Sequence, residues 1–284
     1  MPLLEIILAI AGIGCFGAAS VYSYVCLIRQ HPPEQGSRGV PLLLALGCAP
    51  LLAILVLHGV NASHIPMFNS FNVLTAYGIC LTFAAIFVLA RRRTQGVLAI
   101  LAPYVTIVLI AGLPSVGMRT GPVAQEVPHT VLLVHLLIAF ASYALFSLAS
   151  IIAIAYLIQD RNFKNRNFGV VFERLPPLET LDHMMFQLVG IAFLLLTISL
   201  VMGVYLVHQS GNRLAWMTDP KILSTLATWI LYAGLVHMRA NAGRHGTRLA
   251  AITLIGLAFV LFSMFGVHLI AHSLHGVVLI GGAP

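Results

Sequence analysis

The sequence predicts an all-α, polytopic membrane protein: a bundle of eight transmembrane helices with both termini outside. Three observations predict it. Hydrophobic residues make up 60% of the 284 positions and charged residues only 8%, against about a quarter charged in soluble domains, and the mean hydropathy is +0.98. Apolar runs recur at lengths of about 20 residues or more, the length a helix needs to cross a hydrocarbon core of about 30 Å. Most Lys and Arg residues fall in alternate connections between those runs. Lipid offers the backbone no hydrogen bonds, so spans are helices or closed barrels, and uninterrupted runs of this length select helices.

The runs lie near residues 3–28, 40–60, 71–90, 96–113, 129–159, 183–208, 220–238 and 249–273. The first is too long for the apolar part of a cleaved leader and has only Glu5 near its start, so it reads as a retained span. The fifth would extend about 46 Å as a helix at 1.5 Å per residue, so its Asp160 end is expected to project from the bilayer. The longest polar stretch follows, from Asp160 to Asp182. Within it "LPPLETLDHM" predicts a short amphipathic helix at the inner surface, with Pro176 and Pro177 suited to a helix start and Glu179 and Asp182 to its early turns. No linker or repeat divides the series, and 1–284 reads as a single transmembrane domain.

Charge sets the expected orientation. Arg29 and Arg38 follow the first run, and Arg91, Arg92 and Arg93 follow the third. Arg161, Lys164, Arg166 and Arg174 follow the fifth, while Arg239, Arg244 and Arg248 join the seventh to the eighth. Only Arg119, Arg213 and Lys221 remain for the other side. The positive-inside rule makes the basic connections cytoplasmic. The net charge of +7 is thereby explained with the lipid bilayer as partner and no nucleic acid. Cys15, Cys26, Cys48 and Cys80 stand singly in the first three runs, with no CxxC or CxxCH. That pattern excludes a thiol oxidoreductase and a covalent c-type cytochrome and suits buried structural thiols.

Twelve histidines in so apolar a chain form the main chemical signal, because ionisable groups inside membrane helices are functional candidates by default. His58, His64, His129, His135, His208, His268, His272 and His275 fall toward the expected outer face. His31, His183, His237 and His245 fall toward the inner one. Imidazole binds haem iron, zinc or copper, relays protons, or ties one helix to another. His268, His272 and His275 are spaced so that one helical face presents all three, though no carboxylate accompanies them. His135 with His275, from two different helices, has the makings of a bis-imidazole pair.

One stretch joins the two sides. In "AWMTDPKILSTLATWILYAGLVHMR", Asp219 and His237 are 18 residues apart, about 27 Å of helix. Asp219 is expected at the outer surface and His237 near the inner one, an arrangement suited to transport or relay. Simpler roles fit the same residues: Trp216 and Trp229 as interfacial or packing side chains, Asp219-Pro220 as an N-cap with proline in the first helical position.

Four stretches resemble the cytochrome c assembly, haem-handling family of the CcsA, CcmC and HemX types. "AWMTDPK" with "TWILYAGLVHMR" is similar to its tryptophan-rich loop and following helix. "LPPLETLDHMMFQLVGIAFLLLT" is similar to the segment before that loop. "HLLIAFASYALF" resembles its span with a His before Ser-Tyr-Ala, and "GVHLIAHSLHG" its closing segment. The likeness covers 129–276 and is greatest to CcsA-like, YpjD-like inner-membrane proteins. The loop retains one Trp, with Met217 and Thr218 after it.

The resemblance implies a haem-binding protein of the bacterial cytoplasmic (inner) membrane that moves or presents haem b during cytochrome c assembly, as a transporter, chaperone or ligase component. It implies that His135 and His275 are the axial ligands at an outer site, and that Trp216 and Asp219 belong to the loop over that haem. It implies His237 as an inner-side ligand acting with a second membrane assembly protein, and apocytochrome c as the recipient. Two other readings stay open: a HemX-type regulator of tetrapyrrole synthesis, and a b-type electron carrier. No nucleophile–base pair, phosphate loop or carboxylate dyad is present in the expected contexts.

Overall fold

A computed structural model describes residues 2–28, 33–62, 70–89, 95–116, 129–209, 219–242 and 246–266. Long apolar runs with few charges become long helices, as expected. These are α1 (Pro2–Ile28), α2 (Pro33–Ala62), α3 (Ser70–Leu89), α4 (Gln95–Gly112), α5 (His129–Lys164), a short α6 (Val170–Arg174), α7 (Leu178–Gln209), α8 (Pro220–Ala242) and α9 (Thr247–Leu261). Among the described residues eight helices are long and apolar enough to cross a membrane, and no strand occurs. Pro41, Pro50 and Pro103 lie inside α2 and α4, which neighbouring helices make tolerable within a bilayer.

α5 is the central post. It packs against α7 most extensively, and also against α3, α4 and α9, while α1, α2, α3 and α4 pack among themselves. Small residues let it serve so many neighbours: Ala144, Ala149, Ala153 and Ala155 are buried along it, with Ser142, Ser147 and Ser150. The Ser hydroxyls are satisfied locally or across helices. Ser142 Oγ donates to the Ala192 carbonyl at 2.8 Å, and Ser150 Oγ reaches the Phe146 carbonyl at 2.9 Å and the Thr253 carbonyl at 3.2 Å. Outward positions such as Phe87, Ile107 and Val204 are exposed and apolar, as a lipid-facing surface requires. At 36 residues, α5 is about 54 Å long and exceeds the bilayer core as expected.

Two expectations change. The segment predicted as a short amphipathic helix leading into the sixth run is continuous with it and opens α7, which runs unbroken for 32 residues from Leu178. Pro176 and Pro177 do mark a start, but nothing after them stops the helix, and its polar residue turns inward. Asp182 accepts from Arg239 Nη2 at 2.7 Å and from the Gly246 N–H at 3.4 Å. Gly246 has φ +92°, a left-handed conformation natural to glycine. The eighth run, expected as one helix over 249–273, leaves α-geometry after Leu261 for a π-helical turn, Phe262–Gly266.

Candidate functional site

His135 lies in the second turn of α5, half-buried against α7. Its Nδ1 is 3.0 Å from the Ser199 carbonyl oxygen and 3.3 Å from Ser199 Oγ. A carbonyl only accepts, so Nδ1 carries the proton and donates. In a neutral ring Nε2 is then the nitrogen with the lone pair, the form in which histidine binds metals. Gly203 stands beside the ring: a Cβ there would lie 3.4 Å from His135 Cε1.

Asp219 immediately precedes α8 and is 2% exposed. Its Oδ1 accepts the Lys221 N–H at 2.8 Å, and its carbonyl accepts the Leu223 N–H at 3.1 Å. These are the bonds of an N-cap with proline at the first helical position. His237, eighteen residues on, is exposed. It continues an outward row made by Leu223, Leu226, Ile230 and Gly234 and faces away from the bundle. Trp216 and His275 lie outside the described residues, as do His268 and His272. The structure thus gives the environment of His135, Asp219 and His237 and does not bring any two of them into contact. Among the described residues no three His, Cys, Asp or Glu side chains converge as a metal site would need.

Other residues named in the sequence take structural roles. His58 ties three helices together: Nε2 is 3.2 Å from Glu5 Oε2, and Nδ1 is 3.0 Å from Asn72 Oδ1. Trp229 packs rather than sitting at an interface. Its Nε1 donates to Thr197 Oγ1 at 2.9 Å, and its ring stacks on Phe193 with centroids 5.5 Å apart.

Sequence reasoning passed over a buried hydroxyl cluster that joins α5, α8 and the π-helical turn. Ser263 Oγ lies 3.0 Å from Thr225 Oγ1, 3.2 Å from Ser224 Oγ and 3.4 Å from Tyr143 Oη, while Tyr143 Oη is also 3.2 Å from Thr225 Oγ1. Tyr143 is eight residues along α5 from His135, about 12 Å. The sequence signal was the adjacent Ser224-Thr225 in an otherwise apolar helix, together with the Tyr of "ASYALF". The π-turn that swings Ser263 into place has no such signal.

The family model for cytochrome C assembly protein matches residues 40–275. The match therefore reaches back from 129, where the resemblance read from the four stretches begins, through most of the first half. A cytochrome c biogenesis protein CcsA of Chlorella vulgaris is 27% identical over 264 residues, covering 81% of this chain and 82% of the relative. The CcsA of Porphyra purpurea is 26% identical over 250 residues, covering 75% and 78%. That of Prochlorococcus marinus (strain MIT 9303) is 25% identical over 270 residues, covering 85% and 84%. The matched stretch takes in well over half of the chain: the chain belongs to the cytochrome C assembly protein family.

Proposed function

We propose that this multi-pass membrane protein takes part in cytochrome c assembly by holding haem b at the outer face of a bacterial cytoplasmic membrane, for transfer to an apocytochrome c. Family membership and relatives named for cytochrome c biogenesis support the assembly role. The observation that carries haem binding is the state of His135. Its Nδ1–H donates to the Ser199 carbonyl at 3.0 Å, the kind of contact that in metal-binding histidines makes Nε2 the ligating nitrogen. A porphyrin iron fits that donor.

His135 and His275 are the proposed imidazoles that would hold the haem iron, and Trp216 and Asp219 would contribute to the same site. The bound haem supplies the vinyl groups at which a c-type cytochrome is joined. The chain's own task is to hold it by imidazole and release it by exchange of those ligands. His237 is the proposed inner-side ligand. Its exposure on α8 supports a site completed by a second membrane assembly protein.

Visible spectra of protein purified from haem-replete cells test this. The wild type is expected to carry a Soret band that His135→Ala and His275→Ala each reduce at least tenfold, while His237→Ala leaves the outer-site signal in place. Absence of the band, or a band indifferent to both outer substitutions, refutes haem ligation there. One observation favours a second reading, the HemX-type regulator: the loop carries a single Trp, at 216, so it offers little aromatic surface to a porphyrin. A deletion strain with normal c-type cytochromes and altered levels of early tetrapyrrole enzymes selects that reading.

A further inference from the structure

We infer that Gly203 is a positioning residue for His135: by leaving the side of α7 bare it lets the Ser199 carbonyl accept a hydrogen bond from Nδ1–H, and so aims Nε2 at the ligand. The inference rests on the reading of His135 as a haem ligand and adds what sets that ligand's tautomer.

The geometry follows from helix construction. In α7 the carbonyl of residue 199 accepts the N–H of residue 203, one turn on. That bond uses one lone pair and leaves a second. Helical side chains lean back toward the N-terminus, so a side chain at 203 would lie over the 199 carbonyl and shield that second lone pair. Glycine leaves it open. His135 Nδ1 reaches the oxygen at 3.0 Å, and His135 Cε1 stands 3.4 Å from where the missing Cβ would be. At 3.4 Å an alanine methyl makes ordinary contact, whereas a longer side chain competes with the imidazole for the same space. The Ser199 hydroxyl at 3.3 Å is a secondary contact. The backbone carbonyl does the selecting, because it accepts and never donates, whereas a hydroxyl tolerates either tautomer.

Second-sphere acceptors of this kind fix ring orientation and raise ligand basicity, and their loss costs about 10–100-fold in metal affinity. A bond that merely ties α5 to α7 would leave the tautomer and the iron unconcerned. The two roles therefore separate experimentally.

The first measurement uses haem-free, full-length protein in lipid with ¹⁵N-labelled histidine. The His135 signals are identified by their loss in His135→Ala. Wild type, Gly203→Ala and Ser199→Ala are expected to show a neutral ring protonated at Nδ1, since all three keep the carbonyl accessible. Gly203→Leu is expected to lose that pattern. A wild-type ring protonated at Nε2, or an unchanged pattern in Gly203→Leu, overturns the inference without reference to haem, and the wild-type measurement stands even if the leucine variant fails to fold.

The second measurement titrates haem. Gly203→Ala is expected to bind like the wild type and Gly203→Leu about 10–100-fold more weakly, with an altered Soret position. Equal binding through His135 with Gly or Leu at 203 overturns the inference while sparing the haem reading. A wild-type ring protonated at Nδ1 that takes up no haem removes the haem reading and takes the inference about iron down with it.

Discussion

Asp219 shows how one side chain serves the local backbone and a proposed site together. A carboxylate 2% exposed needs donors, and the start of a helix provides them, since its first N–H groups have no intrahelical partner. Oδ1 takes the Lys221 N–H at 2.8 Å, and the helix dipole favours negative charge at that end. Asn keeps an acceptor in the same place and Ala does not. Asp219→Asn is therefore expected to hold the thermal midpoint of the detergent-solubilised protein near wild type, while Asp219→Ala loses about 1 kcal/mol. Equal losses from both would show that the charge, and not the cap, is what the fold uses. The cap was legible in the Asp-Pro dipeptide. The partner of His135 was not: Ser199 is 64 residues away in the chain, and its carbonyl carries no sequence signature at all.

Helix packing in a bilayer depends on small residues and interhelical polar contacts more than on apolarity, because lipid is as apolar as leucine. The seam between α8 and α9 is an example. Tyr232 is fully buried, stacks on Phe146 of α5 at 3.7 Å, and lies where a Cβ on Gly256 of α9 would overlap its ring. Gly256→Ala is expected to destabilise the protein by about 1–3 kcal/mol through overpacking. Tyr232→Phe removes only the hydroxyl's share of the overlap and is expected to give partial relief, since Cζ and Cε2 of the ring remain in the way. Combining Gly256→Ala with Tyr232→Ala is expected to cost less than the sum of the two single changes, the mark of residues in direct contact; strict additivity would deny that contact. Run length and charge placement made the eight helices legible, since both follow from the thickness of the bilayer. Which face of each helix meets a neighbour was not legible, because all faces are apolar. For that reason the sequence left the direction of His237 open, and the structure turns it outward. It also missed that α7 swallows the polar "LETLDH" segment, whose Asp182 finds its partner 57 residues away in Arg239.

At the scale of the whole molecule the proposed outer position of the haem site depends on which end of the bundle faces the cytosol. The contacts sort the ends relative to one another. Glu5, His58 and Asn72 join the start of α1, the end of α2 and the start of α3. The Asp182–Arg239 pair, with side chains 12% and 11% exposed, joins the start of α7 to the end of α8. That second end also carries Arg161, Lys164, Arg166 and Arg174 on the segment leading into α7, with Lys164 bridged to Asp160 at 2.7 Å. By the positive-inside rule that basic end is expected on the cytoplasmic side, with His237 there and His135, at the opposite end of α5 from the basic segment, on the outer side. Reporter fusions in a bacterial host check the absolute sense. A fluorescent protein inserted after Asn165 is expected to fluoresce. Alkaline phosphatase, which needs the oxidising side to form its disulfides, is expected to be active when fused after Pro284. The opposite pattern would put His135 on the cytosolic side, where an apocytochrome awaiting haem outside could not reach it, and would refute the proposed outer site.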